Sequence, residues 1–172
     1  MMRLHLEDVE ATDALGRLLA QTQPATAAIV YLHGDLGAGK STLARAWLRA
    51  LGVTGAIRSP TYTLVEHYAL DSGAKALHLD LYRIGDAGEL EFLALDDTGA
   101  ALWLVEWPEH GDRGLPPADL RIEMGVAGAG RAAVLHEESG VGSAWLARLA
   151  ETEGCEALLN PQDRKLRQPT DK

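Results

Sequence analysis

Cysteine is nearly absent from this chain, and so are the sequence features of secretion and membrane insertion. Cys155 is the only cysteine, which excludes an internal disulfide and a cysteine metal cluster. No apolar run approaches the roughly 20 residues that a membrane-spanning helix needs. The opening segment Met1–Glu10 is charged and lacks the basic, apolar and small-residue blocks of a signal peptide. We therefore expect a cytoplasmic protein without membrane contacts.

Positive charge is also scarce. The chain has 16 Lys and Arg against 25 Asp and Glu, which gives a formal net charge of −9. Because affinity for nucleic-acid phosphates comes mostly from Lys and Arg, this balance argues against a large nucleic-acid surface and makes any role in nucleic-acid biology indirect. Net charge does not exclude a local patch, and Arg45, Arg49 and Arg58 could form one or could equally belong to a solvated helix face.

The chain has enough apolar sequence to build a core. Its 172 residues, 47% of them hydrophobic, fit one domain, which we assign to residues 1–150. Residues 151–172 form a polar segment with proline, and we predict a disordered tail there.

Gly34–Ser41 reads Gly-Asp-Leu-Gly-Ala-Gly-Lys-Ser and matches the phosphate-binding P-loop pattern at every fixed position. Glycines let successive backbone N–H groups converge on an anion, and a following helix adds its positive end. In this pattern Lys40 reaches the outer phosphates and the Ser41 hydroxyl ligates Mg²⁺, a metal that prefers oxygen. The pattern predicts ATP and Mg²⁺ as cofactors.

The surroundings of this motif favour a P-loop over a chance glycine-rich turn. The apolar run Ala27–Leu32 precedes it as a buried strand would, and Thr42–Leu51 carries apolar residues at helical spacing before Gly52 ends the helix. Further patterns predict a helix capped by Asp8, a helix at Glu89–Leu95, a helix at Gly142–Glu151, and two hairpins built from Thr61–Tyr68 with Lys75–Ile84 and from Leu120–Val126 with Arg131–His136. Together they predict an α/β, P-loop NTPase-like fold of three layers with a mixed, mostly parallel central sheet and antiparallel hairpins.

Two carboxylates are candidates for the chemistry. Asp80 lies in a strand where leucines alternate with polar residues, so we expect it on a displayed face and not buried, with a salt bridge to Arg83 as the alternative. Glu106 ends the apolar strand Ala101–Val105, where P-loop proteins place a metal-associated acid, with a plain surface acid as the alternative. Asp96, in a D-x-x-G sequence, competes with Glu106 for this role, but no guanine-reading motif follows, so GTP specificity is unsupported.

Four ordered motifs resemble one family, TsaE, formerly called YjeE. The resemblance runs from about Asp8 to Leu149 and is far more specific than a P-loop alone. Its motifs are the P-loop, Ser-Pro-Thr-Tyr-Thr-Leu-Val at Ser59–Val65, His-Leu-Asp-Leu-Tyr-Arg at His78–Arg83, and Val-Glu-Trp-Pro-Glu at Val105–Glu109.

This resemblance implies a bacterial ATPase needed for threonylcarbamoyl modification of the adenosine beside the anticodon in tRNAs that read A-starting codons. The modifying enzyme of that pathway is TsaD, paired with TsaB, and another protein makes the threonylcarbamoyl-adenylate. A TsaE protein binds the TsaB–TsaD pair and hydrolyses ATP to reset it between turnovers, so contact with tRNA would be indirect. We expect the protein alone to be a monomer.

The resemblance also implies site residues. It puts the P-loop residues Gly37, Ala38, Gly39, Lys40, Ser41 and Thr42 around the phosphates, Ser41 and Glu106 on Mg²⁺, and Asp80 beside the γ-phosphate as the acid that positions water. Asp80 and Lys40 are the predicted catalytic residues. The resemblance implies nucleotide contacts for Thr12, Trp107 and, more weakly, Arg131, and a γ-phosphate-sensing role for Thr61 and Thr63. Without the resemblance, Thr12 would be interpreted as an exposed helical threonine, and Trp107 could equally be a nucleotide contact or a packing residue. The chain departs from many members at Ser41, where they have threonine, but the hydroxyl is kept.

Two other classes remain open. A small-molecule kinase shares the P-loop and an acidic base, but it usually needs a mobile arginine-bearing lid to exclude water, which this sequence does not show. A nucleotide-sensing interaction module would use ATP to set its affinity for a partner, with hydrolysis incidental. All three classes predict the same fold, so fold alone does not separate them.

Overall fold

A computed structural model describes residues 1–85, 88–90, 95, 99–111, 114–160 and 162. In these residues strands and helices alternate along the chain. The strands are β1 Met2–Leu6, β2 Ala28–His33, β3 Val65–Ala69, β4 Lys75–Asp80, β5 Leu102–Glu106, β6 Leu120–Ala127 and β7 Gly130–Glu137. The α-helices are α1 Val9–Thr22, α2 Lys40–Ala50, α3 Gly140–Glu151 and α4 Cys155–Leu158, and a short 3-10 helix covers Pro108–His110. None of the described helices is long and apolar enough to cross a membrane.

All seven strands form one sheet in the order β1-β7-β6-β2-β5-β4-β3. The four central strands β6, β2, β5 and β4 are parallel to one another, and the outer strands pair antiparallel. The antiparallel pairs β3–β4 and β6–β7 are the two predicted hairpins. The mixed sheet with a parallel centre is therefore confirmed, and it brings the carboxyl ends of its central strands to one edge.

Apolar residues cover both faces of this sheet, as a parallel sheet requires. On one face, alternate residues of β5 such as Leu102 and Leu104 pack with the α-helices in the main apolar cluster, where the Trp47 and Trp145 rings meet edge to face with centroids 5.4 Å apart. On the other face, Val105 belongs to a second cluster formed with Leu77 and Leu79 of β4 and with residues that follow that strand. The sheet is thus the middle of three layers.

The first helix begins where the sequence predicts. The Asp8 carboxylate accepts a hydrogen bond of 2.8 Å from the Ala11 amide, which satisfies one of the free N–H groups of the first turn of α1. The helix ends at Thr22, before Pro24. Of the predicted helix at Glu89–Leu95, residues 91–94 lie outside the described residues, and Glu89 and Leu90 lie in a 3-10 turn.

Three expectations about the first hairpin are wrong, one of them that its second strand continues to Ile84, since β4 ends at Asp80. Its first strand begins at Val65 and not at Thr61, because Thr61–Leu64 forms a turn in which the Leu64 amide bonds to the Pro60 carbonyl at 2.7 Å and Leu64 has a φ of 65°. Asp80 is not displayed but buried, with 4% of its surface exposed. The polar face of β4 is covered because it shares its side of the sheet with Leu102 and Leu104 of β5.

The start of the predicted disordered tail also needs correction. Cys155–Leu158 forms α4, and the side chains of Cys155 and Leu158 are buried in the main apolar cluster. The chain then pairs with β1 through a bridge between Leu159 and Leu4, and the Asn160 amide bonds to the Arg3 carbonyl at 3.1 Å. Residues 151–160 therefore belong to the fold. Beyond them only residue 162 is described.

Candidate functional site

A cavity of about 380 Å³ opens at the carboxyl ends of the central parallel strands. The ends of β4 and β5, the glycine-rich loop after β2, the start of α1 and the turn between β6 and β7 all contribute to its wall. All predicted site residues except Ala38 and Thr63 line it, namely Thr12, Gly37, Gly39, Lys40, Ser41, Thr42, Thr61, Asp80, Glu106, Trp107 and Arg131. Ala38 is buried beneath the loop in the main apolar cluster.

The loop conformation depends on glycine at two positions. A Cβ on Gly34 would lie 2.2 Å from the Met124 carbonyl oxygen, so no larger residue fits where the loop leaves β2. Gly39 has a left-handed φ of 105° and caps α2, a conformation that disfavours residues with a Cβ. The result is a tight turn that ends at the N-terminus of α2, where free N–H groups and the helix dipole favour an anion.

Lys40 turns back over this loop. Its ammonium group donates to the carbonyls of Gly34 at 2.5 Å and Asp35 at 3.0 Å, and it lies 4.1 Å from the centre of the Trp107 ring. Burial lowers the pKa of Lys40, and the carboxylates of Glu106 and Asp80 counter part of that effect. A buried cation held by main-chain oxygens and an aromatic face is placed to receive an anionic ligand that offers better partners.

Glu106 lies beneath the loop, at the end of β5, with 2% of its surface exposed. Its Oε2 accepts a hydrogen bond of 2.9 Å from the Ser41 hydroxyl at the start of α2. Its Oε1 lies 2.8 Å from Nε2 of His78, whose ring is also buried. Glu106 is therefore not the surface acid that the sequence left as an alternative.

Asp80 lies directly opposite Glu106 in the register of β4 and β5. Its Oδ2 accepts a hydrogen bond of 2.7 Å from the Thr61 hydroxyl, and its Oδ1 accepts one of 3.0 Å from the Tyr82 amide. Arg83, the alternative partner, instead places its guanidinium 4.5 Å from the centre of the Tyr62 ring, and no ion pair joins it to Asp80 in the described residues.

The remaining predicted residues form the cavity wall. Thr12 is buried, not exposed as the alternative required, and its hydroxyl donates to the Asp8 carbonyl at 3.2 Å. The Arg131 guanidinium donates to the Gly37 carbonyl at 3.1 Å and so joins the β6–β7 turn to the loop. Trp107 lines the cavity beside Lys40, and Tyr82, a lining residue that the sequence did not single out, packs against it with ring centroids 5.0 Å apart.

The two threonines of the 61–64 turn are placed differently. Thr61 lines the cavity and touches Asp80, whereas Thr63 points its hydroxyl at Glu66, 2.8 Å away on the surface. The competing acid Asp96 lies outside the described residues.

His78 is the site residue whose role the sequence did not reveal. A signal was present, because a strand places residues i and i+2 on one face, so His78 had to share the face of Asp80. Its contact with Glu106 was not predictable, because it depends on the register between β4 and a strand far along the chain.

The oxygen donors at this site fit a Mg²⁺ ion shared with a phosphate ligand. Ser41 and Glu106 supply a hydroxyl and a carboxylate below the loop, which are the hard oxygen ligands that Mg²⁺ prefers. No group of three or more His, Cys, Asp or Glu residues in the described part of the chain forms a metal-binding cluster. This donor set suits a metal whose remaining ligands come from phosphate and water, not from an all-protein cage.

The fold and the cavity define an α/β protein that carries a glycine-rich loop and two buried carboxylates at the carboxyl edge of a mixed sheet. Residues 6–133 match the family model described as threonylcarbamoyl adenosine biosynthesis protein TsaE. The chain belongs to the TsaE family of tRNA threonylcarbamoyladenosine biosynthesis proteins.

Individual relatives agree with this assignment. The TsaE protein of Haemophilus influenzae is 44% identical over 109 residues, which cover 62% of this chain and 68% of that protein. The TsaE protein of Aquifex aeolicus is 38% identical over 123 residues, or 70% of this chain and 84% of its own length. The crystal structure of YdiB from Bacillus subtilis superposes with a TM-score of 0.71 at 26% identity, covering 87% of this chain and 94% of that one.

Proposed function

We propose that this protein is a Mg²⁺-dependent ATP hydrolase that binds the TsaB–TsaD pair and resets it during threonylcarbamoylation of tRNA. One observation supports the proposal most directly. The cavity brings an anion-binding loop and its lysine together with two buried carboxylates, Asp80 and Glu106, on adjacent strand ends. Phosphoryl transfer to water needs these parts: a phosphate cradle, a metal-side acid and an acid that positions the nucleophile.

In this proposal each residue has one task. The loop amides and Lys40 bind the phosphates and stabilise the charge that develops on the transferring group. Ser41 and Glu106 would hold Mg²⁺, which would neutralise phosphate charge when bound. Asp80 orients the attacking water, and no covalent intermediate is needed. Thr12, Trp107 and Arg131 line the wall against which the nucleotide rests.

The proposed partners rest on the family resemblance. Relatives are described as tRNA threonylcarbamoyladenosine biosynthesis proteins, so we propose that this protein works in the cytoplasm with the TsaB and TsaD proteins as its direct partners. A net charge of −9 agrees with a protein that reaches tRNA only through that complex. We expect a monomer in the absence of partners.

The experiment is a steady-state ATPase assay of the purified protein, alone and with TsaB and TsaD, on the wild type and on Glu106→Ala. We expect partners to stimulate the wild type and Glu106→Ala to abolish that stimulation, because the variant removes the metal-side carboxylate. Glu156→Ala, which removes an exposed carboxylate from α4, is the control and should behave as the wild type. An ATPase rate indifferent to both partners and to Glu106→Ala would refute the proposal and would direct attention to a screen for phosphorylated small-molecule acceptors.

A further inference from the structure

His78 contacts the site through Glu106, and its imidazole ring is 1% exposed. Its Nε2 lies 2.8 Å from Oε1 of Glu106, while the Ser41 hydroxyl takes the other oxygen, Oε2, at 2.9 Å. Each oxygen of this carboxylate is therefore held by one side chain. One comes from the helix that follows the loop, and the other from the neighbouring strand.

The proton on the imidazole can be placed from these contacts. Nδ1 of His78 is buried and has no hydrogen-bond partner among the described residues. A buried N–H without an acceptor is costly, so the ring proton belongs on Nε2, where the Glu106 carboxylate accepts it. His78 thus acts as a donor toward Glu106.

A glutamate at this position needs such an anchor more than an aspartate would. Its side chain has one more rotatable bond, and the last torsion of glutamate is broad, so burial alone does not select one orientation of the carboxylate. The Ser41 contact fixes one oxygen but leaves rotation about that contact free. The His78 contact removes this freedom, because two donors on different elements define the plane of the carboxylate.

The same strand then serves both acids of the site. His78 and Asp80 lie two residues apart on one face of β4, and Asp80 is paired with Glu106 on β5. The spacing His-x-Asp therefore places His78, the donor to Glu106, two residues before Asp80, the acid that lies opposite Glu106. This links the geometry of both carboxylates to a single strand.

We propose that His78 is a positioning residue that orients the Glu106 carboxylate toward the metal, an inference that rests on the proposed function. Removing the imidazole N–H leaves Glu106 in place but free to rotate, so its oxygens no longer meet the ion in a fixed geometry. Partners that orient metal ligands in this way are typically worth about 10- to 100-fold in metal affinity. His78 itself does not line the cavity in which metal and nucleotide would bind.

The test is calorimetric binding of ADP at a series of Mg²⁺ concentrations, which needs no turnover. For the wild type, ADP affinity should rise with Mg²⁺ to a plateau, and the midpoint concentration measures the metal site. His78→Leu should raise that midpoint about 10-fold or more while ADP affinity without Mg²⁺ stays within about 2-fold. His78→Gln, whose amide N–H reaches about as far as Nε2, should restore most of the wild-type midpoint.

His67→Leu is the matched control, because it removes an exposed histidine from the adjacent strand β3 and should leave the midpoint unchanged. If His78→Leu does not fold, His78→Asn replaces it, since its shorter amide does not reach Glu106. The positioning role alone would be overturned if the midpoint of His78→Leu, or of His78→Asn in its place, coincides with that of the wild type. It would also be overturned if the midpoint of His78→Gln shifts as far as theirs. A wild type that binds no ADP at any Mg²⁺ concentration would instead overturn the proposed function, and this inference with it.

Discussion

Asp80 and Glu106 face each other at the ends of adjacent strands, and both are buried, yet they are held by different kinds of structure. Both oxygens of Glu106 bond to side chains on regular elements, Ser41 on α2 and His78 on β4. Asp80 bonds to a hydroxyl in the irregular 61–64 turn, from Thr61, and to the Tyr82 amide just past its own strand.

This difference indicates that the partners of Asp80 can move more easily than the partners of Glu106. The partners of Glu106 cannot move without disturbing the sheet or the helix, so its carboxylate stays in one geometry. The 61–64 turn can open at much lower cost, because it lies on the surface and Tyr62 is exposed. Asp80 can then exchange the Thr61 hydroxyl for a water molecule. Under the proposed function, Glu106 would therefore act as a static metal ligand and Asp80 as an acid whose partner changes.

The largest effect expected from this comparison is on Asp80. Asp80→Asn keeps the size of the side chain but removes the charge that orients water in the proposed mechanism, so hydrolysis in the presence of partners should fall by about 10²- to 10⁴-fold. ATP binding should remain measurable by calorimetry, because the loop and Lys40 are intact. Asp71→Asn, in the exposed turn between β3 and β4, is the control. Hydrolysis at the wild-type rate would remove Asp80 from the mechanism.

A smaller effect is expected when Glu106 is shortened. Glu106→Asp keeps the charge but withdraws the carboxylate from both Ser41 and His78, so the Mg²⁺ concentration that gives half-maximal hydrolysis should rise about 10-fold. The readout is a Mg²⁺ titration of the ATPase rate at saturating ATP. An unchanged Mg²⁺ requirement would contradict a static role for this residue.

Next comes the contact between the turn and Asp80. Thr61→Val removes the hydroxyl but leaves the turn able to open and admit water to Asp80, so the free energy of unfolding in urea should fall by only about 1 kcal/mol. Thr63→Val is a matched control, since its hydroxyl bonds to Glu66 on the surface, and it should cost less than about 0.5 kcal/mol. Equal losses for the two variants would mean that the Thr61 contact is not special.

The smallest effect is expected at the outer side of the turn. Arg83→Ala removes the cation from the exposed ring of Tyr62, a contact worth about 0.5 kcal/mol at such a site. Hydrogen exchange of the amides at residues 61–64 should become slightly faster, whereas exchange in β5 should not change. Faster exchange in β5 as well would show that the two acids are not supported independently.

Much of the fold could be predicted because its signals are local. The strand β2, the glycine-rich loop and α2 are contiguous in the sequence, so their periodicity and glycines were enough to predict them. The Asp8 cap is likewise a contact between residues three positions apart. For the site, the same locality identified the loop residues, and the strand-end position identified Glu106.

The errors at Asp80 and at α4 share one physical cause. The burial of Asp80 depends on the layer that covers β4, and the partners of both acids depend on which strands and turns become neighbours. That α4 is folded and not disordered depends on its packing against β1, not on its own short sequence. None of these can be calculated from the residues next to them along the chain.

The sequence by itself determined the glycine-rich loop, the elements that flank it and the identity of the two acids, because backbone propensity and periodicity act over a few residues. Only the tertiary structure decided that β4 lies beside β5, and with it that Asp80 meets Glu106, that His78 supports one and that Thr61 contacts the other. Those contacts join residues far apart in the chain, and they form only because burying both faces of the sheet favours this one arrangement of strands.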